Sequence, residues 1–270
     1  GQLQAGIGTN DRYQVGGNLN VKDGRWAFNL SYNYNTSSNI TNGRTRRTDR
    51  SPEGTAGFFE QDTESHFRRS MNGGRLGVDW QVSNRNTLSV SQSLRTFGHA
   101  GTDKQNFNSL GAGHELIAQG EQINGSEGGH MGLTSQILFK HRSPKEGKEW
   151  TMDLTYNSGR RDSEASQDLY SYQPDGTSTT DAPRLQDNIG SSRNSSYTFQ
   201  ADFVDPLSER TKLEYGLKSH LAPDRTSLEV LVSSPTFGDQ VRDTALSNTY
   251  WINDNINAAY INWSQKLSAN

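Results

Sequence analysis

The chain has no cysteine. Disulfides, thiolate metal sites and cysteine nucleophiles are therefore excluded. It has no run of eighteen or more apolar residues, so no transmembrane helix is expected. Apolar residues are scarce, at 30% of 270 positions, with a mean hydropathy of -0.89. That is poor for a compact soluble core of this length. A strong charge of either sign is also missing. The net charge of -3 gives no electrostatic reason to expect a nucleic-acid partner.

Aromatic residues are not scarce. Ten Tyr, ten Phe and five Trp are present, and most fall in segments of strict alternation. From Trp26 to Asn35 one parity reads Trp26, Phe28, Leu30, Tyr32, Tyr34, and the other reads Ala27, Asn29, Ser31, Asn33, Asn35. Period two places these sets on opposite faces of a sheet. A strand of about ten residues with one apolar and one polar face is the unit of an outer-membrane barrel. Such a wall needs only a thin apolar face, because lipid covers one side and a polar lumen the other.

Ten strands are predicted: Gln2–Gly8, Arg12–Val21, Trp26–Asn35, Gly74–Val82, Thr87–Leu94, Ser135–His141, Trp150–Ser158, Ser196–Val204, Thr211–Ser219 and Asn257–Leu267. The connections alternate in length. Lys22–Arg25, Ser83–Asn86, Ser143–Glu149 and Asp205–Arg210 are short and rich in the residues tight turns require. Thr36–Gly73, Thr96–Thr134, Gly159–Ser195 and His220–Ile256 read as long loops. Asn10-Asp11 is a short turn at the long-loop end. Short turns on one side and long loops on the other are what transmembrane barrels show. Trp26 and Trp150 start their strands, and Tyr34 and Tyr156 lie near the far ends, where amphipathic rings meet the membrane boundary. The fold class read here is all-β, an antiparallel transmembrane β-barrel.

No enzymatic constellation stands out, and neither enzyme chemistry nor a cofactor is expected. His99, His114 and His130 share one long loop, but their spacing is loose and no paired carboxylates accompany them. Arg44, Arg46, Arg47 and Arg50 form a basic run able to grip phosphate. Asp49, Glu53, Glu60, Asp62 and Glu64 nearly cancel it. Tyr170 and Tyr172 offer stacking surfaces. The candidate ligand contacts are therefore Arg44, Arg46, Arg47, His99, His114, Tyr170 and Tyr172, each with a solvated-loop alternative.

The stretch Gly8-Thr9-Asn10-Asp11-Arg12-Tyr13-Gln14-Val15-Gly16-Gly17-Asn18-Leu19-Asn20, followed by Gly24-Arg25-Trp26-Ala27-Phe28-Asn29-Leu30-Ser31-Tyr32, resembles the start of the barrel in TonB-dependent receptors of the Bacteroidetes type. Gly74-Arg75-Leu76-Gly77-Val78-Asp79-Trp80, Pro144-Lys145-Glu146-Gly147-Lys148-Glu149-Trp150, Asp205-Pro206-Leu207-Ser208-Glu209-Arg210 and Asn257-Ala258-Ala259-Tyr260-Ile261-Asn262 are similar to later hairpins of that family. No single motif is strict; the ordered series carries the likeness.

The resemblance implies a transport barrel that takes a ligand at extracellular loops and passes it through a plugged lumen. It implies outer-membrane lipid around the wall, a plug domain, a TonB-type energy coupler, and room for a surface lipoprotein partner. The family's barrels have about twenty-two strands. The mid-strand start, the missing plug and the non-aromatic Leu267-Ser268-Ala269-Asn270 lead us to expect that residues 1–270 are one segment of a larger barrel. The location expected is the outer membrane of a Gram-negative bacterium. A structural or assembly subunit of an outer-membrane complex is the alternative, and a barrel-type hydrolase a more distant one.

Overall fold

The computed structural model describes residues 1–51, 54–179, 183–233 and 239–267. Glu53 and the last three residues of the terminal tetrapeptide lie outside them. Within the described residues the chain is a single antiparallel sheet of eleven strands. They are β1 (Gln2–Gly8), β2 (Arg12–Asp23), β3 (Trp26–Ser51), β4 (Gly54–Gln81), β5 (Asn86–Gly111), β6 (Leu116–Arg142), β7 (Glu149–Tyr172), β8 (Arg184–Pro206), β9 (Thr211–Ser233), β10 (Gln240–Arg242) and β11 (Asn248–Gln265). Each strand from β1 to β9 pairs with the next, and both β10 and β11 pair with β9. β1 and β11 are not paired with each other among the described residues. No helix there is long and apolar enough to cross a membrane, which says nothing about strands.

The turns lie where the sequence placed them. Asn10 and Asp11 take positive φ of 62° and 49°, the left-handed pair that closes a two-residue hairpin. The Ser38 amide donates to the Asn10 carbonyl at 2.8 Å, which fixes that turn at the level of Ser38. Gly24 supplies the positive φ of 54° at the β2–β3 turn. At the β6–β7 turn, Lys148 Nζ donates to Asp205 Oδ2 at 2.7 Å, clipping it to the β8–β9 turn.

The expected long loops are not loops. Most of Thr36–Gly73, Thr96–Thr134, Gly159–Ser195 and His220–Ile256 continues the strands as ladder-paired hairpins. β3 to β6 run 26, 28, 26 and 27 residues. At about 3.3 Å per residue this is roughly 85 Å along the strand, whereas a bilayer needs only about 9–11 residues. The physical reason is simple. Backbone pairing holds these hairpins together, while apolar alternation marks only the part that meets lipid. β10 comes from the same predicted loop, and β11 begins nine residues earlier than its sequence signal.

Register then sorts the side chains. Phe28 stands opposite Val21 and Val78; Val78 opposite Val90; and the row runs on through Ile137, Leu154 and Phe199. Tyr13, Val15, Leu19, Trp26, Leu30, Trp80, Met152 and Leu217 share that face. Many of these large apolar side chains are exposed, Phe28 by 43% and Leu154 by 49%. In water such a face would be a severe liability.

Candidate functional site

The apolar face is bounded by rings of aromatic residues. Near the short turns Trp26 stacks on Trp80 at 5.1 Å, Phe139 meets Trp150 at 5.1 Å, and Phe203 stacks on Tyr215 at 5.1 Å. Toward the other end Tyr156 packs on Tyr197 at 5.0 Å, and the Tyr32 hydroxyl donates to Asn72 at 3.1 Å. Trp26 and Tyr34 are eight residues apart, about 26 Å along a strand. That matches an apolar band about 25 Å tall with aromatic girdles at both interfaces.

The opposite face is mostly polar, with Phe67, Met71 and Phe97 as apolar exceptions. Near the short turns it carries both signs: Asp79, Asp153, Asp202 and Glu214 with Lys140, Lys212 and Lys218. Lys212 Nζ lies 2.6 Å from Glu214, and Asp202 accepts from the Tyr260 hydroxyl at 2.8 Å. Farther up the charge changes character. Arg69, Arg75, Arg95 and Arg161 occupy this face on β4, β5 and β7. None of the four makes an ion pair among the described residues. Arg69 Nε donates to the Ser37 hydroxyl at 3.1 Å instead.

The hairpin extensions are mostly polar on both faces, with Ile40, Phe58, Phe59, Phe67 and Phe107 among the exceptions. Four of their arginines are paired with carboxylates: Arg44 with Asp62 at 2.5 Å, Arg46 with Glu60 at 3.3 Å, Arg47 with Asp49 at 2.8 Å, and Arg160 with Asp162 at 2.7 Å. The Asp62 carboxyl is held below its usual pKa by its hydrogen bond from Arg44, and the guanidinium of Arg44 is raised in return. Exposed pairs of this kind contribute little to stability. Arg44, Arg46 and Arg47 also sit on β3 above the level where β2 stops, along an edge with no paired neighbour among the described residues. Charge along such an edge blocks pairing with another chain, and this accounts for the basic run without any ligand.

The candidate ligand contacts are not brought together as one site. Arg44 and Tyr170 fall in one cross-strand row, through Asp62, Asn106 and Glu121. Arg46 and Tyr172 fall in the next. Four strand spacings still separate each pair, about 19 Å. Arg47 and His99 point to the other face. His114 lies in the β5–β6 turn with φ of 64° and stacks on Phe58 at 4.1 Å. His99 stacks between Phe67 at 6.1 Å and Phe97 at 5.8 Å. Among the described residues no group of three or more His, Asp or Glu could hold a metal ion.

Arg95, Arg161 and Asn194 had no place in the sequence reading. Extending the polar parity of the predicted strands past Leu94, Ser158 and Ser196 would have found them.

Residues 141–270 match the model of an outer membrane protein beta-barrel family. The sheet is the wall of an outer-membrane β-barrel. The match covers the end of β6 and all of β7 to β11. The β6–β7 ladder joins β1 to β6 to this part without a break, and the apolar face runs across the join. No curated protein and no solved structure matches the chain. An outer-membrane barrel of this kind resides in the outer membrane of a Gram-negative cell. Its apolar face meets lipid and its polar face lines the interior.

Proposed function

We propose that this barrel wall encloses the passage of a TonB-dependent transporter, with a plug in the lumen and energy supplied from the inner membrane. One observation carries the reading. The interior face bears many long charged side chains, from Asp79 and Arg75 across to Lys218 and Glu214. A narrow barrel closed by ten or eleven strands has little room for them, whereas a wide lumen holding water and a plug does. The unpaired outer sides of β1 and β11 support the same picture. Unpaired backbone groups in lipid cost several kcal/mol each, so further strands complete the wall. The ordered likeness of its hairpins to TonB-dependent receptors supports the class, including the Bacteroidetes type.

Uptake assays on cells making the full-length protein test this. Uptake of its solute should stop when the inner-membrane energy coupler is deleted. Undiminished uptake without the coupler would overturn the proposal.

A second reading is favoured by the extensions. Hairpins reaching about twelve to seventeen residues beyond the apolar band offer a large surface for a lipoprotein or assembly partner. In that reading the barrel is structural, and deletion of the coupler changes nothing.

A further inference from the structure

The interior face contains a notch that nothing above explains. Gly132 on β6 is paired with Gly159 on β7. Arg95 on β5 stands beside Gly132, and Asn194 on β8 stands beside Gly159. One cross-strand row therefore reads Arg95, Gly132, Gly159, Asn194. Two neighbouring positions without side chains of their own make a low floor, partly covered by the side chains of Asn194 and His130. The walls on either side are three strand spacings apart, about 14 Å.

The rims of this floor are polar and mostly cationic. The row above holds His130 paired with Arg161. His130 leans over the floor, since a Cβ on Gly132 would lie 3.2 Å from its Nε2. The Asn194 side chain leans in from the far wall and occupies the space a Cβ on Gly159 would need. In the row below, the Thr134 hydroxyl donates to Asn157 at 2.8 Å, so that edge is already satisfied. Arg95 and Arg161 have no carboxylate partner among the described residues. The carboxylate in the Arg95 row is Asp224 on β9, beyond Asn194, and it accepts from Thr226 at 3.0 Å. Arg44, Arg46, Arg47 and Arg160 each find an acid; Arg95 and Arg161 do not.

The notch also has an apolar shelf. Phe97 is paired with His130 and with Met71, stacks on His99 and is 40% exposed on a mostly polar face. A flat ring can lie there while an oxyanion meets the guanidinium groups of Arg161, in the same row, and Arg95, in the row below. Arginine grips carboxylate and phosphate through two parallel hydrogen bonds.

We propose that this notch binds a small anionic solute, an oxyanion carried on a flat apolar body. The inference rests on the reading that the interior face lines a wet transport passage, and it names the class of solute that passage takes.

Phenyl phosphate and inorganic phosphate serve as probes, titrated calorimetrically against the full-length protein in detergent. Phenyl phosphate should bind saturably. The double substitution Arg95→Ala with Arg161→Ala should weaken it by about tenfold or more, the size expected when charge-assisted pairs are lost. Phe97→Ala should weaken phenyl phosphate and leave inorganic phosphate unchanged. Arg210→Ala, in a short turn, should change neither. If the double alanine variant fails to fold, Arg95→Lys with Arg161→Lys keeps the charge and loses the two-pronged grip, and should still weaken binding. Undiminished binding by the folded double variant overturns the proposal, as does the absence of saturable binding to folded protein. Intact binding with coupler-independent uptake would sink the transport reading alone. Coupler-dependent uptake with no effect of the substitutions would sink the notch alone.

Discussion

Each strand from β3 to β9 has two halves that obey different rules. In the half near the short turns one face is apolar and the other polar, and the boundary is marked by aromatic rings. In the outer half both faces are mostly polar and neither forms a continuous apolar band, yet the ladder pairing continues. The first half is amphipathic because lipid demands it. The second is a sheet because every strand has a neighbour with which to pair. The comparison separates two properties that usually travel together: being a strand, and looking like one in sequence.

The sharpest way to break the comparison is to put a charge into each half. Leu154→Arg, on the lipid-facing row near the middle of the band, should cost about 2–4 kcal/mol of folded stability. Thr102→Arg, on the same face of the β5 extension, should stay within about 0.5 kcal/mol of the parent. Urea titration of the full-length protein in lipid vesicles reads both. Equal losses would show that the extension also meets lipid.

A second comparison sets one aromatic pair against another. Trp26 on Trp80 belongs to the girdle, and Phe59 on Phe107, at 6.0 Å, belongs to the extension. Double-mutant cycles to alanine should give about 0.5–1.5 kcal/mol for the tryptophan pair. The phenylalanine pair should give less, because its rings are farther apart and bathed in water.

A smaller effect is expected from shortening. Joining Thr41 to Ser65 through an Asn-Gly turn removes the outer part of the β3–β4 hairpin. The barrel should still insert, and its heat-dependent shift in gel mobility should persist. Loss of insertion would mean that the extension helps fold the wall.

The smallest effect concerns pH. The carboxyl of Asp62 is held below its unfolded value, near about 3.9, by Arg44. A depressed carboxylate contributes stability that is fully present above the unfolded pKa. That contribution is lost as pH falls through the folded value. No change is expected between neutral pH and about pH 5, and only a slight loosening of the hairpin below it. Carbon NMR of the Asp62 carboxyl should show its titration move upward in Arg44→Gln.

Much of the membrane half was legible in the chain. Trp26, Phe28 and Leu30 announced their face, and Lys22 to Arg25 and Ser83 to Asn86 announced their turns. The outer half was not, because Thr41, Gly43 and Thr45 on one face and Asn42, Arg44 and Arg46 on the other give no contrast in polarity. The interior row of Arg95, Gly132, Gly159 and Asn194 was hidden for a related reason. Each member sits just beyond the end of a recognisable alternation, and only pairing across four strands makes them neighbours. The candidate contacts were chosen by residue type within supposed loops. The register scattered them over two faces and a turn.

The level at which the Asn10-Asp11 turn stops has a consequence for exchange with solvent. β3 rises thirteen residues past it, from Asn39 to Ser51, with β4 on one side and nothing described on the other. Backbone amides along a strand point alternately left and right. Those aimed at β4 are locked in its ladder, and those aimed away are open to water. Deuterium should therefore enter this segment at every second residue, fast and slow in turn. On that side the described wall is lower by about 43 Å of strand.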